Sequence, residues 1–448
     1  MTQSLADLTA QILDAARKAG AQSADAIAVD GTSVNIEVRG GKLENAERSE
    51  GIEIGLRVLL GQQQACVSSS DTRPEALVLM AERAVAMAKE APIDRFAGLA
   101  EPSQIATDTD CARLELFDAT EEPDPAALQQ DAIRAEAAAM EVQGISQVQT
   151  ASAAYSRRRI HLAATNGFAG GYERTDRSIV CTAISGTGAA MERDYDYDAR
   201  IFQADLKSAD LIGRTAAERA VARQGARRPK TGTYPVLFDE KISSSLIGHL
   251  IAAINGSMIA RGSSWARDLL GKQVLPTELS LIEDPHRPRT SGSRLFDSEG
   301  LPTSRRAIVD KGILTGWTLD LSTARQLGLE STANASRGTS APPSPSAGNL
   351  ELTFGDKTHA DLLRDMGTGL LVTSMIGSTI NPNTGDYSRG ATGFWVENGE
   401  IAYPVNEVTI ASNLKDMLLR IVPANDGERH LSRVVPSLLV DGMTLAGD

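Results

Sequence analysis

Cysteine is scarce in this chain, and what there is does not cluster. Three of the 448 residues are cysteines, Cys66, Cys111 and Cys181, and no two form a C-x-x-C pair. That spacing argues against a zinc knuckle, an iron–sulfur centre or a disulfide framework. Aromatic residues make up 4% of the chain, so the 42% apolar content comes mostly from Ala, Leu, Val and Ile. No run of about 18 apolar residues occurs, so no helical membrane span is expected. The opening "MTQSLADLTAQILDAARKAG" lacks a basic stretch followed by an apolar one. It reads as an amphipathic helix and not as a signal peptide, and a cytoplasmic location is the expectation. Positive charge is also short. The net charge is −13, and the densest basic stretches, "YSRRRI" (155–160) and "ARRPK" (226–230), are brief. Binding of nucleic acid needs clustered Lys and Arg, so no nucleic-acid partner is expected.

What is present is a regular alternation of helices and strands. Leu5, Leu8, Ile12, Ala15 and Ala19 recur at helical spacing before Gly20. Val34, Ile36 and Val38, then Ile52, Ile54, Leu56 and Val58, alternate as strands with one buried face. A third strand, "QQACVSSS", leads to a helix opened by Asp71 and Pro74. After the acidic joint "FDATEEPDP" (117–125) come a helix, strands around 145–164, 171–187 and 190–203, and another helix. The fold class expected is α+β. It comprises an N-terminal region, 1–228, of two similar α-β-β-(β)-α units (1–116 and 117–228). A β-rich C-terminal domain, 229–448, follows the linker at "GARRPKTGTYPVLFDEKI" and opens with a helix. Asn398-Gly399, between two alternating segments, is a strong type I′ hairpin signal. The Ser/Pro/Gly stretch 331–349 is a long loop of the sort that is either mobile or functional.

Chemistry is harder to find. His249 is the one histidine on the helix within "SSSLIGHLIAAINGSMIARGSSW" (243–265), and no ligand stands three or four residues away. The other four histidines are equally solitary. Neither a G-x-S-x-G elbow nor a G-x-x-x-x-G-K phosphate loop occurs. In "ERDYDYDAR", Asp194, Asp196 and Asp198 alternate, so a strand would place them on one face, either around a hard cation or on a solvated, partly irregular edge. The glycine-rich "GSTINPNTGDYSRGATGFW" (377–395) reads as turns between strands or as a loop lining a groove, with Asn381, Asp386, Tyr387 and Arg389 as candidate groove residues.

Three long stretches, "KTGTYPVLFDEKISSSLIGHLIAAINGSMIARGSSW", "GSRLFDSEGLPT" and "MIGSTINPNTGDYSRGATGFWVENGEIAYPVNEVTIASNLKDML", resemble the TldD/PmbA family. In the TldD branch, the resemblance implies, H-E-x-x-x-H on the opening helix and a cysteine near the C-terminus hold zinc. Laid over this chain by its glycine turn, the histidine positions fall on Ile247 and Ala252 and the glutamate position on Gly248. "GERHLSRVVPSLLVDGMTLAG" carries no cysteine. The chain therefore resembles the PmbA (TldE) branch, the metal-free partner. The resemblance implies a TldD-like metallopeptidase subunit as partner, with zinc in that partner and none here. It also implies peptides or unfolded proteins as substrates and a place for this chain in the wall of the substrate chamber. A homodimer is expected for the chain alone from the frequency of two-fold oligomers. Two other readings stand beside this one. The first is an autonomous peptidase with a metal at Asp194, Asp196 and Asp198. The second is a non-proteolytic modulator that binds protein, as an older family name, modulator of DNA gyrase, suggests.

Overall fold

The computed structural model describes residues 4–448, the side chain of Ser378 excepted. Helix α1 (Leu5–Lys18) begins with a reciprocal cap between Ser4 and Asp7 and stops before Gly20, whose φ is 102°. Strands β1 (Ser23–Arg39), β2 (Lys42–Leu60) and β3 (Gln63–Ser69) follow, then α2 (Pro74–Glu90), with Pro74 in its first turn. The second unit repeats the order: α3 (Pro125–Met140), β4 (Ile145–Ala164), β5 (Ala169–Ser185), β6 (Glu192–Arg200) and α4 (Ala209–Ala222).

The two units share one antiparallel sheet, in the order β3-β2-β1-β4-β5-β6, joined along β1 and β4 from Asp25 opposite Ala164 to Val38 opposite Ala151. Helices cover one face. Ala24, Ala26 and Ala28 meet α1 and α2, while Val34, Ile36 and Val38 meet α3 and α4. Small residues let these layers approach closely. A Cβ at Gly213 of α4 would lie 2.0 Å from the Ala135 carbonyl oxygen of α3. The first half of β1, "SADAIAVD", shows no alternation in the sequence because both its faces are buried, Ile27 packing on the side away from the helices.

The C-terminal region is a barrel with additions. β7 (Gly232–Phe238) leads into α5 (Glu240–Ala253) and the short α6 (Gly256–Ala260). Strands β8 (Gly369–Ile380), β9 (Asp386–Glu397), β10 (Glu400–Asn413) and β11 (Leu438–Ala446) complete it. The order is β10-β9-β8-β7-β11, and β11 returns to pair with β10 at Thr409–Ala446, closing the ring. Closure leaves these five strands without a free edge. A second sheet of five short strands lies beside it, in the order 313–314, 306–310, 281–283, 350–352 and 433–434. Asn398 and Gly399, at φ 52° and 80°, make the expected hairpin turn.

One reading needs correction. The glycine-rich stretch 377–395 is mostly strand and not loop: it forms the β8–β9 hairpin, with a tip at 381–385. Its glycines serve close packing as well as turning, since a Cβ at Gly393 would come within 1.9 Å of the Leu371 carbonyl oxygen.

Two buried carboxylates tie the sheet to the C-terminal region. Asp25 of β1 accepts from Arg57 Nε at 2.7 Å and pairs with Arg337 of the 331–349 loop. The Arg57 and Arg337 side chains are 4% and 0% exposed. Asp194 of β6 binds Arg223 at 2.9 Å and Lys241 of α5 at 2.7 Å. Removing one partner of a buried pair leaves an uncompensated charge. Asp25→Asn is therefore expected to destabilise the protein by about 3–5 kcal/mol in urea unfolding. Asp30→Asn, which removes an exposed pair with Arg159, is expected to change stability by less than about 1 kcal/mol.

Candidate functional site

The helix that follows β7 is held at both ends. Asp239 caps α5, its carboxylate accepting from the Lys241 N–H at 3.2 Å, and Asn255 caps α6 by accepting from the Ser257 N–H at 3.0 Å. Leu246, Ile247, Leu250, Ile251 and Ile254 sink into the barrel-domain core. The opposite stripe carries Ser244, Ser245, Gly248, His249 and Ala252.

His249 does not stand alone. Its ring meets that of Tyr387 of β9 edge-on, with centroids 5.8 Å apart. Tyr387 is buried, and its hydroxyl lies 3.3 Å from Met375 Sδ. Arg389, two residues along β9, donates from Nε to the Gly377 carbonyl at 2.7 Å. Burial, with the Arg389 charge adding to it, holds the His249 pKa below the ordinary histidine value, so the ring stays neutral near pH 7. Burial pushes the Tyr387 phenol up to about 12. His249 Nε2 and Ser245 Oγ, one helical turn apart, are buried and have no hydrogen-bond partner among the described residues.

The three positions laid over the metal motif do not converge. Ile247 is 1% exposed and packed in the core, whereas Ala252 lies on the exposed side. Five residues at 3.6 per turn separate two side chains by roughly 140° around the helix. Gly248 sits beneath Arg433, whose Nη1 would be 3.5 Å from an added Cβ.

The candidate groove residues divide into two groups. Tyr387 and Arg389 join His249. Asn381 and Asp386 are exposed and build the hairpin tip instead. Asn381 Oδ1 accepts from the N–H groups of Asn383 and Thr384 at 3.0 and 3.3 Å. The Asp386 carboxylate accepts from Thr384 Oγ1 at 2.6 Å and Asn413 Nδ2 at 3.0 Å, and these bonds hold its pKa below the usual carboxylate range.

The alternating aspartates of β6 are not a solvated, irregular edge. β6 is a regular strand, and each carboxylate has a cation. Asp194 binds Arg223 and Lys241, Asp196 binds Arg219 at 2.6 Å, and Asp198 binds Arg200 at 2.9 Å. Spacing alone could not reveal these partners, which come from α4, α5 and the end of β6. Among the described residues no three His, Cys, Asp or Glu side chains form a group able to hold a metal ion.

Sequence reading missed the acidic cluster at the start of α5. Burial, then the negative charges of Asp239, Glu428 and Asp426, raise Glu240 to about 7. Its folded pKa lies above the free value of 4.5, so the stability tied to its neutral form is complete below that value and is lost as pH rises through about 7. Relative to wild type, Glu240→Gln is expected to gain on the order of 1–2 kcal/mol between about pH 5 and pH 8. Thermal unfolding of both proteins across that range measures it.

Comparison with known proteins identifies relatives of the chain as a whole. Residues 24–88, 118–224 and 231–447 match, respectively, domain 1, the central domain and the C-terminal domain of the PmbA/TldA metallopeptidases. The metalloprotease PmbA of Escherichia coli O157:H7 is 36% identical over 93% of this chain and 90% of its own length. A crystal structure of a candidate DNA gyrase modulator from Bacteroides thetaiotaomicron superposes with a TM-score of 0.91, at 26% identity and 98% coverage of both chains. TldE from Thermococcus kodakarensis, 18% identical, shares the fold with a TM-score of 0.84 over 98% of this chain and 100% of that one. No helix among the described residues is long and apolar enough to cross a membrane.

Proposed function

The chain belongs to the PmbA/TldD metallopeptidase family, and from that premise we propose that it is the non-catalytic, PmbA/TldE-type subunit of a peptidase that degrades or processes peptides. The observation that carries this reading is the face of α5. A catalytic zinc takes three protein ligands and works beside a base that accepts a proton from bound water. The residues here do not fit such an ion. Ile247 is turned into the core, Gly248 has no side chain, and Ala252 offers no donor. The one imidazole, His249, sits in the field of Arg389, and Arg433 lies over Gly248, so positive charge occupies the place a cation would need. The zinc is assigned to a TldD-like partner.

What this chain contributes is a surface for extended peptide. The barrel is closed, but β6 is an edge strand of the N-terminal sheet. It borders a cleft of about 970 Å³ whose other side carries Ser374, Met375 and Ile376 of β8. Met191, Tyr195, Tyr197 and Ile376 are exposed apolar side chains at or near this cleft. An edge strand with flanking apolar side chains suits a peptide that adds as a further strand.

A second reading, a protein-binding modulator without proteolysis, draws on the name of the similar Bacteroides protein alone. An autonomous peptidase using Asp194, Asp196 and Asp198 is disfavoured by the cation already paired with each of them.

The test is reconstitution. Peptide cleavage is expected to be absent with the purified chain and with a TldD-like subunit carrying H-E-x-x-x-H alone, and to appear on mixing, in a form that a zinc chelator abolishes. Chelator-sensitive cleavage by the isolated chain overturns the proposal. Pull-down of a topoisomerase and no peptidase subunit favours the modulator reading. Tyr197→Ala and Ile376→Ser, both at surface positions, are expected to raise the KM of the mixture several-fold with little change in kcat.

A further inference from the structure

A second cavity lies on the same helix-free face of the N-terminal sheet, toward the start of β1 and the end of β4, where that face meets the C-terminal region. It holds about 420 Å³, within the roughly 300–1,000 Å³ usual for small-molecule sites. Its floor is apolar, formed by Ile27 and Val29 of β1, Ile160 and Leu162 of β4, Tyr172 of β5, and Phe296 from the C-terminal region. Its charged wall holds Arg158, Arg294 and Arg337, with Glu53 and Asp297 opposing them.

Two of these guanidinium groups are incompletely satisfied. The Arg337 side chain is 0% exposed. Its Nη1 pairs with Asp25, its Nε donates to the Gly338 carbonyl at 3.2 Å, and its Nη2 has no partner. Arg294 donates from Nη1 and Nη2 to the carbonyls of Ala335 and Ser346 at 3.2 and 3.1 Å, and its buried Nε has no partner. A buried N–H of a charged group without an acceptor is costly and calls for one. The nearby carboxylates do not supply it. Asp297 already accepts from the N–H groups of Glu299, Leu301 and Ala335. Asp25 is shared between Arg57 and Arg337, so one negative charge faces two positive ones. Glu53 is exposed. Burial raises Glu299, beside Arg57, to about 8, so it is mostly uncharged near pH 7.

We propose that this cavity binds a ligand bearing a carboxylate next to an apolar group, the chemistry of a C-terminal peptide residue. The carboxylate accepts from Arg337 Nη2 and Arg294 Nε with Arg158 at the mouth, and the apolar group rests on Ile27, Ile160, Leu162 and Phe296. The site lies across the 331–349 loop, whose Thr339 carbonyl is packed so closely on β2 that a Cβ at Gly55 would come within 2.1 Å of it. The loop is thus a built wall of the cavity.

Isothermal titration of the full chain with acetyl-glycyl-leucine, its C-terminal amide and inorganic phosphate tests the assignment. The acid is expected to bind one to one, and the amide about tenfold or more weaker, as loss of a charge-assisted hydrogen bond predicts. Arg158→Gln, at an exposed position, is expected to weaken the acid and leave the amide unchanged. Arg337→Gln is expected to abolish acid binding in protein whose circular dichroism matches wild type. Equal binding of acid and amide, no binding of the acid, or phosphate binding as tight as the acid each overturns the proposal. The titration uses no second subunit, so its outcome is separate from that of the reconstitution.

Discussion

The arrangement of this molecule depends on charges buried where the N-terminal sheet meets the C-terminal region. Asp25 reaches from β1 to Arg57 in its own sheet and to Arg337 across the boundary. Asp194 does the same from β6, holding Arg223 at the C-terminal cap of α4 and Lys241 of α5. Charges taken out of water are tolerated only when paired with good geometry, so each carboxylate accepts few relative positions of the two regions. An apolar contact of the same area would be less selective, because dispersion and burial carry little directional information.

Both proposed binding regions follow from that constraint. The cleft beside β6 is bounded by the strand that carries Asp194, and the carboxylate cavity is roofed by the loop that carries Arg337. The ion pairs that fix β6 against α4 and α5, with the Asp198–Arg200 pair inside β6, also consume the three aspartates that the sequence offered as a cation site. A feature that looks like chemistry in one dimension is here the fastening of one layer to another.

α5 shows the converse. Its sequence offers one histidine among aliphatic and small residues, and the bland reading is a packed side chain. The barrel brings Tyr387 and Arg389 of β9 against that histidine, making a small polar cluster on this face of the helix. That Ile247, Gly248 and Ala252 offer no donor atom is visible in the sequence. That Ile247 faces the core while Ala252 faces outward is visible only in the helix.

Much of the fold was legible because it rests on local physics. Alternation in Val34–Val38 and Ile52–Val58, helical spacing in Leu5–Ala19 and the Asn398-Gly399 turn each need only neighbours in the chain. What failed was non-local. β1 starts earlier than its alternation suggests, because a strand buried on both faces has no alternation to show. The stretch 377–395 looked like loop because of its glycines, but Gly390 and Gly393 meet backbone of the adjacent strand β8, a requirement set by strand pairing and not by turning. The sequence by itself determined the elements and the two-fold repetition of α-β-β-β-α. Only the tertiary structure decided that the two units share one sheet, that the barrel closes on β10 and β11, and which cations sit on which carboxylates. Pairings between distant residues depend on register and packing, and these are settled only when the whole core forms.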